Sequence, residues 1–215
     1  MKEKTMLLFQ DFFARIPELK PLREKIEKTA EMITEAYRGG HKLLLCGNGG
    51  SCADCDHIAG ELLKGFLYRR PLTGAQKQAF TDKYGTAGAE IAEKLQRGLP
   101  AISLCTHSAA ISAFANDVDP QLCYAQQVLA YGKEGDVLIG ISTSGNAENV
   151  AAAVMTANTM GVHTVGLTGK SGGKLLELCD LALVMPHKDT YRIQEYHLAV
   201  SHLQCAAVEY ELFDC

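Results

Sequence analysis

Residues 43–51 read Leu-Leu-Leu-Cys-Gly-Asn-Gly-Gly-Ser, an apolar run that passes directly into a glycine-rich turn. This pattern predicts a short buried strand, then a loop, then a helix that begins near Ser51. Glycines let the backbone of such a loop come close to a ligand. The first N–H groups of the following helix would point at that ligand, as they do in many phosphate sites. The stretch therefore predicts an anion site suited to phosphate.

A second copy of this arrangement lies further along the chain. An apolar run at 137–141 precedes the sequence Ser-Thr-Ser-Gly-Asn at 142–146. One hydroxyl is enough to cap a helix, so three adjacent hydroxyls favour phosphate binding over a plain N-cap. Two strand–loop–helix cradles of this kind predict a phosphorylated small molecule as the ligand.

The alternation of apolar runs and helical segments predicts the fold. Helices are expected within 1–38 and, as one long helix, over 190–213. Repeated strand–helix units with apolar strands indicate an α/β fold whose parallel sheet is covered by helices on both faces. Ligands of such sheets bind at the carboxyl ends of the strands, where both glycine-rich loops fall. The expected strands are 42–46, 101–105, 137–141, 163–167 and 180–185.

Residues 68–99 interrupt this alternation. The segment is polar and contains four glycines, and only 88–97 has the pattern of a short helix. Structureless loops of this length are uncommon in compact domains. We interpret the segment as an insertion or long surface excursion within a single domain that spans 1–215.

Composition narrows the classes of partner. The formal net charge of −4 argues against general nucleic-acid binding, which usually requires a basic excess. No run approaches the roughly 18 apolar residues of a membrane span, and the N-terminus does not resemble a signal peptide. Several of the eight cysteines lie in apolar runs, where free cysteine behaves as a small hydrophobe. We expect a reduced, cytoplasmic protein without a membrane partner.

Two polar groups on predicted helices could carry chemistry. His57 and Glu61 are four residues apart, so they share a helix face and could bind a metal or divide acid–base work. An ordinary surface pair at this spacing is the commoner case. The final helix carries Gln194, His197 and His202, and spacing alone does not show which histidine faces a site. A solvated helix face is the alternative there.

Cys52 and Cys55 form a C-x-x-C pair at the start of the helix after the first loop. Such a pair can be half of a zinc site or a redox couple, but no second C-x-x-C completes a zinc site. Two small apolar side chains are the favoured interpretation. A helix start can lower the pKa of Cys52, which predicts that oxidation affects activity.

Taken together, these motifs resemble the sugar isomerase (SIS) domain family, and within it the phosphoheptose isomerase group. The resemblance covers nearly the whole chain except 68–99. It is specific as a combination, since any one motif alone would be weak. The matching stretches are Cys46 to Ser51, His57 to Glu61, Phe114 to Asp117, Gly135 to Asn146, Leu167 to Gly173 and Arg192 to His202.

The resemblance implies a five-stranded parallel sheet flanked by helices, assembled as a tetramer with active sites between subunits. It also implies zinc in some members, held at the positions of His57, Glu61, Gln194 and His202. The implied reaction interconverts sedoheptulose 7-phosphate and D-glycero-D-manno-heptose 7-phosphate. The implied substrate-binding residues are Asn48, Gly49, Gly50, Ser51, Glu61, Asn116, Asp117, Ser142, Thr143, Ser144 and Gln194.

An aldose–ketose isomerisation moves a proton between neighbouring carbons through an enediol, so it needs a base and an acid. We assign Glu61 as the base and His202 as the acid, and a zinc ion would polarise the carbonyl or orient both groups. In a continuous helix, Gln194 and His202 are about 12 Å apart along the axis and roughly 80° apart around it. Either they come from different subunits or the helix starts after Gln194. We therefore expect the site to need the oligomer.

Three departures from the family pattern leave the exact sugar open. Ala147 stands where a further serine is usual, Gly60 stands where a second acidic residue is common, and 68–99 is longer than the usual link. An isomerase for another sugar phosphate is one alternative. Non-catalytic relatives that bind a replication initiator, or sense sugar phosphates, are another. The presence of Glu61 and His202 favours an enzyme.

Overall fold

The computed structural model describes residues 1–213 and contains the five-stranded parallel sheet that the sequence predicts. The strand order is β2-β1-β3-β4-β5, and every neighbouring pair is parallel. The α/β fold class is therefore confirmed. The strands are β1 (Leu43–Gly47), β2 (Ala101–Ser103), β3 (Val137–Ile141), β4 (His163–Gly169) and β5 (Leu181–Met185).

Helices cover both faces of this sheet. The α-helices are α1 (Glu3–Arg15), α2 (Arg23–Arg38), α3 (Gly50–Leu63), α4 (Gly74–Lys94), α5 (Ser108–Asp117), α6 (Cys123–Tyr131), α7 (Glu148–Thr159), α8 (Leu175–Leu178) and α9 (Thr190–Leu212). Short 3₁₀ turns at Pro17–Leu22 and Pro120–Leu122 precede α2 and α6. None of the helices within residues 1–213 has the length and apolar character needed to cross a membrane.

Strand β1 shows how the two faces divide. Its five residues are all buried, and they alternate between two apolar clusters because successive side chains point to opposite faces. Leu43 and Leu45 belong to the cluster that also contains residues of α1, α2, α3 and α9. Leu44 and Cys46 belong to the cluster that also contains residues of α6, α7 and α8. A strand buried on both sides reads as a continuous apolar run, which is why 43–46 stood out in the sequence.

The segment 68–99 departs from expectation. Helix α4 spans Gly74–Lys94 but is non-helical at Gly85 (φ 57°, ψ −137°), so it consists of two helical parts joined at a kink. The second part overlaps the short helix predicted over 88–97 and ends three residues earlier, at Lys94. The first part, which a capping box of Thr73 and Gln76 begins, was not predicted.

Both ends of the excursion are fastened to the domain. Pro71 pairs with Gln96 in an antiparallel bridge, and the N–H of Arg97 donates to the carbonyl of Arg70. The Arg70 guanidinium is fully buried against Glu209 of α9, 2.7 Å away, and also donates to the carbonyl of Leu62. The segment is therefore anchored where it leaves and rejoins the fold.

Candidate active site

The first glycine-rich loop lies where β1 ends and α3 begins. Gly49 has a positive φ of 58°, which favours glycine. A Cβ on Gly50 would lie 2.6 Å from the side-chain nitrogen of Gln194. Gly50 therefore lets α9 approach the loop, and this contact brings Gln194 to the turn that the sequence predicted as an anion site.

An amide pair joins the two loops. The side chains of Asn48 and Asn149 exchange two hydrogen bonds, of 2.8 and 2.9 Å. The Tyr124 hydroxyl donates to the carbonyl of Gly47 at 2.6 Å and supports the same turn from below. Sequence reasoning missed Asn149 and Tyr124. Asn149 could have been found, since it lies in the first turn of the helix after the second cradle.

The second loop carries the three predicted hydroxyls. The Ser142 hydroxyl accepts a hydrogen bond from the N–H of Ala147 at 3.4 Å, and no side chain caps α7 at Ala147. Ser144 accepts from the N–H of Asn146, and Thr143 lies half-buried between Ser142 and Ser144. A Cβ on Gly145 would collide with the carbonyl of Gly172 at 1.8 Å, so the loop packs tightly onto the turn after β4.

Two histidines and a carboxylate meet between α3 and α9. The Nε2 atoms of His57 and His202 are 2.7 Å apart, and a carboxylate oxygen of Glu61 lies 3.9 Å from His57 Nε2. Two ring nitrogens at hydrogen-bond distance require one donor and one acceptor. The Phe66 ring stacks on His202 with centroids 5.7 Å apart, and Lys64 forms an ion pair with the other Glu61 oxygen.

Burial lowers the pKa of His202, and the neighbouring His57 lowers it further, while the Glu61 carboxylate opposes both effects. The lowered pKa favours a neutral imidazole on His202 near neutral pH. A neutral imidazole can still donate its N–H to a carbonyl oxygen, so the geometry suits hydrogen-bond donation to a substrate.

The structure answers which histidine of α9 faces this group. His202 does, and His197 does not: its Nε2 donates to the carbonyl of Thr168 at 3.1 Å in the core. Helix α9 runs unbroken from Thr190, so the possibility that it starts after Gln194 is wrong. Within one chain, Gln194 and His202 therefore stay about 12 Å apart along the helix axis.

Asn116 and Asp117 lie apart from these contacts. They end α5, they are exposed or nearly so, and the Asn116 amide donates to the Asp117 carboxylate at 2.8 Å. In residues 1–213, no hydrogen bond or ion pair joins either side chain to the two loops. Ser51 is buried at the start of α3 and contributes its backbone N–H to the turn.

The donor set of His57, Glu61 and His202 fits zinc in chemistry, because imidazole nitrogens and carboxylate oxygens are its common ligands. The two ring nitrogens converge at 2.7 Å, closer than two ligands of one zinc would stand. Across the described chain, no three His, Cys, Asp or Glu side chains are arranged as a ready metal site. Binding would need these side chains to open slightly and a further donor such as Gln194.

A parallel sheet with two loop–helix cradles at its carboxyl edge is the arrangement that the sequence led us to expect for a protein that binds a phosphorylated ligand. The SIS domain model matches residues 9–97 and 86–169. The chain therefore belongs to the SIS domain family.

Its relatives narrow the class. The chain is 40% identical to the phosphoheptose isomerase of Aliarcobacter butzleri over 97% of its own length and 96% of the relative's. It is also 40% identical to that of Clostridium acetobutylicum, over 88% and 84%. The phosphoheptose isomerase structure from Neisseria gonorrhoeae superposes with a TM-score of 0.74 at 32% identity, covering 97% of this chain and 98% of that one. The chain is an isomerase of the phosphoheptose isomerase type.

Proposed function

We propose that the chain interconverts sedoheptulose 7-phosphate and D-glycero-D-manno-heptose 7-phosphate. The observation that carries this proposal is the meeting of His57, Glu61 and His202 at the helix that leaves the first glycine-rich loop. The similarity to phosphoheptose isomerases supports a seven-carbon substrate. Gly60 is exposed, and a Cβ there would meet open space. Packing therefore does not explain why glycine stands where a second acidic residue is common in the family.

The two loops are the proposed phosphate and sugar contacts. Hydroxyls of Ser142, Thr143 and Ser144 offer donors to phosphate oxygens, and the positive end of the α7 dipole favours the anion. The net charge of −4 supplies no general attraction, so local donors must hold the phosphate. Asn48 and Gln194 lie at the adjacent loop and are proposed contacts for sugar hydroxyls. Asn116 and Asp117 remain proposed contacts through a neighbouring subunit.

Glu61 is the proposed base and His202 the proposed acid. The Glu61 carboxylate removes the proton from the carbon next to the carbonyl, and the His202 N–H donates to the carbonyl oxygen as the enediol forms. Glu61 then returns the proton to the neighbouring carbon while the other enediol hydroxyl gives its proton to His202, so a new carbonyl forms and both groups are restored. Each such group is worth about 10²–10⁴ in rate. A neutral His202 resembles other imidazoles that polarise carbonyls without first being charged.

Zinc and the tetramer belong to the same proposal. Zinc held by His57, Glu61, His202 and a Gln194 side chain would supply Lewis-acid stabilisation of the substrate oxygens. Because Gln194 and His202 are eight residues apart on one unbroken helix, we propose that neighbouring subunits complete each site. The homotetramer, and the cytoplasm as its compartment, are the expectations that go with this arrangement.

The test is turnover with defined substrate. Purified protein is incubated with sedoheptulose 7-phosphate, with and without added zinc, and formation of the aldose is followed by NMR. Glu61→Gln and His202→Ala are run beside two exposed controls, Glu24→Gln and His163→Ala. Turnover that only the first two variants abolish supports the proposal. Absence of turnover by the unaltered chain, with phosphosugar binding intact, would contradict it.

A further inference from the structure

The C-x-x-C pair at the start of α3 does not gain the reactivity that a helix start can confer. Burial raises the pKa of Cys52 to about 12, so the activation that we expected there is wrong. The other end of the same helix leads into contacts with the proposed acid and base. Residues 64–68 follow the last helical residue, Leu63, and we call them the turn after α3.

The turn after α3 contacts the base through Lys64 and the acid through Phe66. The Lys64 ammonium pairs with a carboxylate oxygen of Glu61. The Phe66 ring stacks on the imidazole of His202, with centroids 5.7 Å apart and ring planes inclined by 27°. Phe66 and His202 also line the same groove of about 300 Å³ between α1 and α9. Phe66 therefore covers one face of the proposed acid.

Side chains from distant parts of the chain hold the backbone of this turn. The N–H of Gly65 donates to the side-chain oxygen of Gln96 at 2.7 Å. The buried carboxylate of Glu209 accepts the N–H groups of the next three residues at 2.8 to 3.2 Å, those of Phe66, Leu67 and Tyr68. Each backbone donor from 65 to 68 is therefore satisfied by one of these two side chains.

Gln96 acts at the point between the two contacts with the acid–base group. Gly65 lies between Lys64 and Phe66, and a Cβ on Gly65 would stand 2.7 Å from the Gln96 side-chain oxygen. Gln96 can approach so closely because position 65 has no side chain. The bridge between Gln96 and Pro71 fixes Gln96 where the 68–99 segment rejoins the domain. A change at Gln96 would therefore be felt at Phe66.

We propose that Phe66 is a positioning residue for His202, and that Gln96 is a positioning residue for Phe66. The stacked ring restricts rotation of the imidazole, so the His202 N–H is presented to the substrate oxygen in one orientation. The far end of the 68–99 segment thereby takes part in holding the acid in place. The effect on turnover rests on the proposed function, whereas the effect on the His202 ring does not.

The first experiment follows the His202 ring by NMR. Full-length protein with ¹³C-labelled histidine rings is used, and the Cε1–Hε1 peak that His202→Ala lacks is assigned to His202. Gln96→Leu removes the acceptor but leaves Phe66 in the chain, and it should move the His202 peak more than any other histidine peak. Gln96→Glu keeps an acceptor and should restore the original position.

The matched control for this experiment is Gln78→Leu. Gln78 lies on α4, where its side chain bonds to Asp82, and its loss should leave the His202 peak in place. A His202 peak that Gln96→Leu does not move, or that Gln78→Leu moves equally, would overturn the role given to Gln96.

Kinetics separate positioning from general stability. Phe66→Leu should lower kcat for sedoheptulose 7-phosphate about tenfold with KM little changed, since a displacement of about 1 Å can cost about 10²-fold. Phe66→Tyr keeps a stacked ring and should recover most of this activity. Phe80→Leu, at a half-buried ring of α4, is the control and should change neither constant. Urea denaturation checks that each variant is folded. An unchanged kcat in Phe66→Leu, or an equal loss in Phe66→Tyr, would contradict the proposal.

Combining the two changes tests whether Gln96 acts through Phe66. Gln96→Leu should lower kcat in the unaltered chain and should have no further effect on kcat in Phe66→Leu. Losses that multiply would contradict this order. The His202 peak should show the same lack of additivity. If the unaltered chain never turns over sedoheptulose 7-phosphate, the His202 peak still decides the roles of Phe66 and Gln96, so failure of the two proposals can be told apart.

Discussion

The two faces of α3 lie against side chains from different parts of the chain. On one face, His57 and Glu61 meet His202 from α9; on the other, Cys52 and Cys55 lie near Cys105, whose thiol contacts the carbonyl of Gly47. Neither pair is informative alone, because i,i+4 and i,i+3 neighbours are common on helices. The comparison teaches that the distant third residue sets the chemistry of each face.

The largest expected effect comes from removing the base on one face only. Glu61→Gln should lower kcat for sedoheptulose 7-phosphate by about 10²–10⁴-fold, because the amide cannot accept the substrate proton. Steady-state kinetics measures the loss, and circular dichroism of the same preparation checks that the variant is folded. A Glu61→Gln variant that keeps full activity would contradict the role given to Glu61.

A buried ion pair anchors the segment that follows α3. The Glu209 carboxylate is fully buried, pairs with Arg70 and accepts the N–H groups of Phe66, Leu67 and Tyr68. Glu209→Ala leaves a buried guanidinium unpaired and should lower the free energy of unfolding by about 3–5 kcal/mol.

Urea denaturation followed by circular dichroism measures this loss of stability. The matched control on the same helix is Glu195→Ala, whose exposed pair with Arg192 should be worth less than about 1 kcal/mol. Equal effects of the two variants would contradict the role given to Glu209.

The two histidines of α9 should respond to pH differently, because only His197 is fully buried. Burial lowers the pKa of His197 to about 4, while its bond to Thr168 opposes the shift. In the unfolded chain His197 takes up a proton near pH 6.5, whereas in the folded chain it does so only near pH 4. The stability present above pH 6.5 is therefore lost as the pH falls toward 4. At about 1.4 kcal/mol per pKa unit, the loss approaches about 3 kcal/mol.

Denaturation midpoints between pH 7 and pH 4 test this difference. His197→Gln should flatten the pH dependence, and His163→Gln, at an exposed site, should leave it unchanged. An unaltered pH dependence in His197→Gln would assign the acid sensitivity to other groups.

The smallest expected effect concerns the amide pair between the loops. Asn149→Ala removes two hydrogen bonds to Asn48, each worth about 1 kcal/mol in net terms. The loop should become less ordered while Glu61 and His202 stay in place. KM for the sugar phosphate should therefore rise about fivefold with kcat little changed. Asn158→Ala, in the last turns of α7, is the control. A drop in kcat as large as that of Glu61→Gln would place Asn149 in the chemistry itself.

Much of this arrangement could be predicted from the sequence. Strands buried on both faces leave continuous apolar runs, so the sheet and both loops were found. Strand β2 ends at Ser103 rather than at residue 105, because the chain turns there and places Cys105 beside Gly47. Periodicity does not encode such a turn.

The rest of the site depends on contacts between distant residues. Tyr124 and Cys105 act on the first loop from 77 and 58 residues away, respectively, from Gly47. The first part of α4 was not predicted, although a capping box at Thr73 marks its start. Gln194 and His202 are eight residues apart on one unbroken helix, so the proposed completion of the site by neighbouring subunits depends on contacts that a periodic pattern does not specify.

The antiparallel bridge between Pro71 and Gln96 bears on which insertions and deletions this fold can accept in evolution. Bridged residues of this kind stand about 5 Å apart, a gap that a tight turn can close. The chain therefore leaves the domain before α4 and rejoins it after α4 at two adjacent positions. Segments of other lengths could be exchanged there without moving a strand, so this position is free to diversify while the sheet and its two loops stay as they are.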